Sequence, residues 1–182
     1  MKKKLLVVAL AVAFASIAAL GSLAYFTSSG SALNVITAGN IKIELFEDFP
    51  SEGITGVMPG TETLKKVYVK NTGDNDAWIR LSVDTLIELN PAYAEPGQDA
   101  DAGLVGFDVD EENWLYSDGF YYYKSALPEG ESTSPLFTTV KFSPDMGNAY
   151  MECTVNVDIT AEAVQAANNG NGATEAAGWP AP

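Results

Sequence analysis

The sequence predicts an all-β fold, an antiparallel β-sandwich. Runs such as Ile41–Leu45, Val67–Val69, Ile79–Val83 and Met151–Ala161 place apolar residues at every second position, the period of a strand with one buried face. Clusters of Gly, Pro, Asn and Asp separate these runs, and beyond residue 24 no apolar stripe with helical spacing is sustained. Together they give at least seven short strands, enough to form two stacked sheets with helix confined to loops.

The first segment is the exception. Lys2, Lys3 and Lys4 precede an apolar run from Leu5 to Leu23, and the polar stretch Thr27–Ser31 follows it. A basic start, an apolar centre and small residues at its end make a signal helix, with Ser22 and Ala24 at the positions a signal peptidase reads and the cut between Ala24 and Tyr25. The run is also long enough to span a bilayer, so a retained anchor is the competing reading. Cleavage makes residues 1–24 a signal peptide and takes three lysines with it, moving the net charge of the chain from −14 to −17.

In the remainder, Ile41, Ile43 and Leu45 alternate with Lys42, Glu44 and Phe46 as a first strand over 41–47. Pro59-Gly60 turns the chain into a strand over 64–70, where the poor fit of Leu64 points to a bulge near Lys65. The turn formers Asn71–Asp76 lead into the alternation of Ala77, Ile79, Leu81 and Val83. Residues 90–106 lack periodicity and read as a surface excursion. Asp118-Gly119 between Trp114–Tyr116 and Phe120–Tyr123 signals a tight hairpin. Leu136–Phe142 forms another strand, and the longest alternation, from Met151 to Glu162, forms the last. The sandwich domain is therefore 25–163. The Ala-, Asn- and Gly-rich segment 164–182 is too weakly apolar to offset its ordering entropy and is expected to be mobile.

Composition excludes several chemistries. A charge of −14 and a pI near 4.1 oppose binding to nucleic acid. With no histidine there is no Ser-His-Asp or Cys-His unit and no His-ligated zinc, and one cysteine forms no internal disulfide. Asp108, Asp110 and Glu112 are closely spaced oxygen donors and the candidate Ca²⁺ ligands, but they lack an EF-hand's glycine and distal glutamate; the alternative is a solvated acidic turn. In the hairpin, one set of Trp114, Tyr116 and Tyr121–Tyr123 belongs to the core and the other is a candidate contact face. Cys153 lies on an apolar face without a His partner, the setting of an inert thiol.

The segment ending Ser22-Leu23-Ala24-Tyr25-Phe26-Thr27, then Ile36–Asn40 leading into Ile41-Lys42-Ile43, then Met58-Pro59-Gly60-Thr61 and Val69-Lys70-Asn71-Thr72-Gly73, resembles the TasA/camelysin family over roughly the first 85 residues. The remainder is similar to its BsaA-type biofilm matrix branch. The resemblance implies a jelly-roll-like sandwich, exported through a SipW-type signal peptidase and secreted as a structural, non-enzymatic subunit of matrix fibres or surface filaments. Its partners would be further copies of itself and other matrix proteins. Camelysin relatives have been classed as metallopeptidases, and a soluble surface adhesin is a further alternative. The His-Glu-x-x-His zinc site of such peptidases has no counterpart in a chain without histidine.

The family's assembly mode, donor-strand exchange, has a warrant in the residues. Tyr25 and Phe26, and after them Leu33, Val35 and Ile36, make a β-prone N-terminal segment able to add to an open sheet edge of the next subunit. The alternative is that the same segment pairs within its own subunit.

Overall fold

The period-two runs become nine strands among the described residues. The computed structural model of the chain describes residues 34–37, 41–48 and 58–180. The expected signal helix and cleavage site (Ser22, Ala24, Tyr25), and Phe26 and Leu33 of the N-terminal segment, lie outside these residues. The strands are β1 (Asn34–Thr37), β2 (Ile43–Asp48), β3 (Glu62–Asn71), β4 (Ala77–Glu88), β5 (Val105–Phe107), β6 (Trp114–Ser117), β7 (Phe120–Tyr123), β8 (Phe137–Phe142) and β9 (Thr154–Gln165).

They form a five-stranded sheet in the order β1-β9-β4-β7-β6 and a four-stranded sheet in the order β2-β3-β8-β5. The fold is the all-β antiparallel sandwich that the alternation predicts, with one departure: β1 runs parallel to β9. The spine is the pairing of β4 with β9 along all twelve residues of each, from Ala77 opposite Gln165 to Glu88 opposite Thr154. Inward side chains of both sheets meet in one core that includes Ile43, Leu45, Val67 and Val69 from one sheet and Ile79, Leu81, Ile159 and Ala161 from the other. Full burial of side chains such as Phe137 or Leu81 stabilises the fold by about 1.5–3 kcal/mol each.

Local chemistry sets the corners. Met58-Pro59-Gly60-Thr61 closes with Thr61 N–H donating to the Met58 carbonyl at 3.1 Å, and Gly60 takes a φ of +76° as the third residue of a type II turn requires. The bulge is found where Leu64 predicts it: the register of β3 on β8 shifts between Leu64 and Val67, leaving Leu64 exposed and Lys65 buried against Glu47. Asp118 (φ 50°) and Gly119 (φ 87°) make the two-residue hairpin turn joining β6 to β7.

The Asn71–Asp76 corner carries the chain from one sheet to the other rather than making a hairpin. Asn71 is fully buried; its Nδ2 donates to the carbonyls of Asn75 and Leu127 at 2.8 and 2.9 Å, and its Oδ1 accepts from Gly73 N–H at 3.0 Å. A Cβ on Gly73 would lie 2.9 Å from the backbone nitrogen of Lys42, so only glycine fits there without movement. The long excursion after Asn90 is pinned by Glu152, which accepts from Asn90 and Tyr93, and by Tyr150 Oη, which accepts from the Asp101 N–H. It contains one 3₁₀ turn at Ala102–Leu104, followed by the short strand β5.

The expectation of a mobile segment from Val164 is corrected. β9 continues to Gln165, a 3₁₀ turn forms at Ala173–Glu175, and residues 166–180 lie as a strap on the outer face of the five-stranded sheet. Average composition missed the few residues that hold it. Val164, Ala173 and Trp179 bury apolar surface against Trp78 and Tyr122, and Asn169 ties the strap internally by donating to the Gln165 and Ala177 carbonyls.

Candidate assembly surface

The N-terminal segment and the edge of β9 are the first part of the surface. In β1, Val35 stands opposite Ala161 and Ile36 opposite Glu162 on the β9 of the same chain. Of the five residues expected to act as the donor strand, Val35 and Ile36 are thus placed by the structure, and their pairing is within the subunit. This strand covers the edge of the five-stranded sheet, since without it β9 would present a row of unpaired backbone N–H and carbonyl groups. At the other margin of that sheet β6 is an edge, and β2 and β5 are the edges of the second sheet among the described residues.

The strap and the centre of the sheet form the second part. Arg80 of β4 is buried beside Glu162 of β9, with Arg80 Nε 2.5 Å from Glu162 Oε2. Nη2 donates to the Pro180 carbonyl at 3.0 Å, and the guanidinium lies between the Phe120 ring at 3.8 Å and the Trp179 ring at 4.7 Å. Tyr122 meets Trp179 edge-on at 6.0 Å, and Trp78 Nε1 donates to the Asn169 carbonyl at 2.8 Å. The strap thereby covers an ion pair that water would otherwise reach, at the point where β1 is in register with Glu162.

This alters the expected role of the hairpin aromatics. Trp114 is in the core and Tyr123 packs on it with ring centroids 5.0 Å apart, as one alternating set should. The opposite set does not face water: Phe120 and Tyr122 lie beneath the strap. Tyr116 remains exposed at 62% and meets Tyr121 in a tilted ring contact with centroids 4.8 Å apart. Burial, with the neighbouring Tyr116, pushes the Tyr121 phenol above its ordinary range.

The candidate Ca²⁺ residues are engaged otherwise. Burial alone would raise the Asp108 carboxyl, but donors from Thr138 and Thr139 outweigh it and hold Asp108 below the usual carboxylate range. Asp110 is also held down, chiefly by the Asn113 side-chain amide at 2.8 Å, and it caps the turn by accepting from the Glu112 N–H. Glu112 also offers its backbone carbonyl to Lys124. Asp108 therefore ties its loop to β8 and Asp110 holds its own turn together, and among the described residues no group of three or more His, Cys, Asp or Glu side chains converges. Cys153 is free and buried, and burial pushes its thiol up, which disfavours the reactive thiolate.

Sequence reasoning missed the Arg80–Glu162–Trp179 unit. The signal was present: a charged residue at every level of an otherwise alternating strand pair is ordinary, but only one Arg occurs in the chain, and its strand neighbours Trp78 and Ser82 share its outward face. Among the described residues no helix is long and apolar enough to cross a membrane. No protein-family model matches the chain, and no curated protein matches it.

Proposed function

We propose that this chain is a secreted, non-enzymatic structural subunit of extracellular matrix fibres or surface filaments, assembling by exchange of its N-terminal strand after signal cleavage between Ala24 and Tyr25. The reading rests on the motif resemblance to the TasA/camelysin family and on one structural observation: the segment expected to be the donor is a four-residue parallel strand at the very margin of an otherwise antiparallel sheet. A marginal strand that pairs with the β9 edge in its own subunit pairs with the same edge of a neighbour through identical backbone bonds. Because the donor and the acceptor are different surfaces, repetition head to tail builds an open fibre when the rotation from one subunit to the next does not close a ring.

Locking the strand tests the exchange. Val35→Cys with Ala161→Cys, in a Cys153→Ser background, places two thiols at register-paired positions. Oxidised, this variant should stay monomeric by electron microscopy and light scattering; reduced, it should form fibres like the parent. Removal of everything before Ile41 should leave a folded chain that forms none. Equal fibre formation by the oxidised and reduced variant, or by the truncated chain, would overturn the exchange.

A further inference from the structure

The two longest strands outrun their neighbours. β4 and β9 pair along their whole length, but β7 flanks β4 only at Arg80 and Leu81, and β1 flanks β9 only from Thr160 to Ala163. Among the described residues the sheet is therefore a two-stranded ribbon over Val83–Glu88 and Thr154–Ile159. On the β9 side this stretch lies in line with β1 and the N-terminal segment. On the β4 side no described residue pairs with Val83–Glu88, so every second residue there turns its N–H and carbonyl toward an open margin. The margin is held in strand geometry by β9 beside it and by the core beneath it, where Ile87 is buried and Val83 packs.

The outer face of the same stretch carries Asp84, Leu86 and Glu88, all exposed, Leu86 at 55%. Asp84 stands directly opposite the exposed Asp158 of β9, and like charges at paired positions destabilise a sheet. No cation of the described chain answers them, since the ion pairs among the described residues are Lys65–Glu47 and Arg80–Glu162.

These charges select what can occupy the margin. A strand added along it sets alternate side chains opposite Asp84, Leu86 and Glu88. A second copy brought in antiparallel, Leu86 on Leu86, would set Asp84 against Glu88, carboxylate on carboxylate, so the margin disfavours pairing with itself. A segment with cations two positions either side of an apolar residue instead gains backbone bonds, covers Leu86 and neutralises both acids.

We propose that the β4 margin Val83–Glu88 is a docking site for an extended segment of a partner protein, with Lys or Arg opposite Asp84 and Glu88 and an apolar residue opposite Leu86. The site uses neither β1 nor the β9 edge, so it stands apart from strand exchange, and either can fail without the other.

The test uses the oxidised Val35→Cys/Ala161→Cys form, in the Cys153→Ser background, of the chain from Tyr25 to Pro182, which contains the whole compact unit Leu33–Pro182. The probe is a fluorescein-labelled peptide, Thr-Lys-Val-Leu-Val-Lys-Thr, whose pattern reads the same in either direction. Binding is followed by anisotropy at about 0.1 M ionic strength, where charges more than roughly 10 Å apart are largely screened. The peptide should bind saturably, and Asp84→Lys with Glu88→Lys should weaken it about tenfold or more. A peptide with Glu in place of both lysines should bind that variant better than it binds the parent. Glu95→Lys with Glu129→Lys, the same charge change on exposed loops, should leave binding unchanged. N-methylating every peptide amide keeps the cations but removes the ladder donors, and should weaken binding about tenfold or more. Hydrogen exchange in the complex should slow at alternate amides of Val83–Glu88 and not along β2, β5 or β6. Absence of binding to the parent, equal binding by the Asp84→Lys/Glu88→Lys variant or of the N-methylated peptide, or protection on another margin would each overturn the proposal.

Discussion

Replacing Arg80 by methionine should be among the most damaging single changes in this fold. The guanidinium is the cation opposite Glu162 at 2.5 Å, and the two side chains are only 8% and 7% exposed. Removing it leaves a buried carboxylate without a counter-charge, a loss that costs about 3–5 kcal/mol. The change also removes the bond to the Pro180 carbonyl and the stacking on Trp179, so the strap loses its anchor. For a chain of this length each kcal/mol shifts Tm by roughly 2–4 °C, giving a fall of about 6–20 °C. Urea unfolding followed by tryptophan fluorescence measures it, with unchanged m-values as the check that the transition remains two-state. Arg80→Met with Glu162→Leu should recover most of the loss, because no charge is then left unpaired; it should lie within about 1–2 kcal/mol of the parent. A cost below about 1 kcal/mol for Arg80→Met, the size of an exposed ion pair, would refute the claim that the strap seals this site from water.

Other consequences are more local. Asn71→Ala leaves the buried Gly73 N–H without its acceptor and removes one donor from the Asn75 and Leu127 carbonyls, the latter keeping the Ala77 N–H, and should cost about 1–3 kcal/mol in urea unfolding; Asn71→Asp, which keeps the acceptor for Gly73, should recover part of that. Gly119→Val forces a β-branched residue into a positive φ and should cost about 1–2 kcal/mol, while Asp118→Asn, which tolerates that region, should be nearly neutral. Asp108 is held below the usual carboxylate range, so the stability it adds is present above the unfolded pKa of about 3.9 and disappears as pH falls through the lower folded value. The stability difference between the parent and Asp108→Asn, measured by urea unfolding across pH, should therefore be constant near neutrality and shrink in strong acid; a difference that grows on acidification would contradict this.

The alternating strands were readable because burial on one face imposes period two, and the long apolar runs of β4 and β9 leave no other economical arrangement. The bulge at Leu64 and the Asp118-Gly119 turn were readable for a related reason: each is a local conflict or a local conformational demand, visible in two or three residues. The strap was not. Its order depends on Trp179 and Val164 reaching Trp78 and Tyr122, contacts separated by up to about a hundred positions, while the residues between are Ala, Asn and Gly. Composition averages over such a segment and loses the few side chains that decide it. The corner motif Asn71-Thr72-Gly73 lies between these cases. Its turn propensity was evident, but its work, carrying the chain between sheets around a buried amide, required the positions of Leu127 and Lys42. Sequence also could not choose between cis and trans pairing of the N-terminal segment, because the backbone bonds are the same in both.

That equality determines what controls assembly. If β1 makes the same ladder on its own β9 and on a neighbour's, contact energy cancels and the balance rests on closure of the connection to β2. Five residues, 38–42, separate Thr37 from Ile43, and fully extended they span at most about 20 Å. A short connection restricts the closed form more than the open one, and short hinges are where strand swapping is favoured. Inserting four Gly-Ser residues after Gly39 relaxes closure and raises the local concentration of β1 at its own β9, so fibres should form later and at higher protein concentration. Deleting two residues there should do the reverse. The same length limits the fibre itself: a strand tethered this closely reaches only a neighbour whose β9 edge sits within about 20 Å of its Ile43, so successive subunits must meet edge to edge. Fibre kinetics that ignore connection length in both directions would mean that β1 is not the exchanged element, whatever the fibre's appearance.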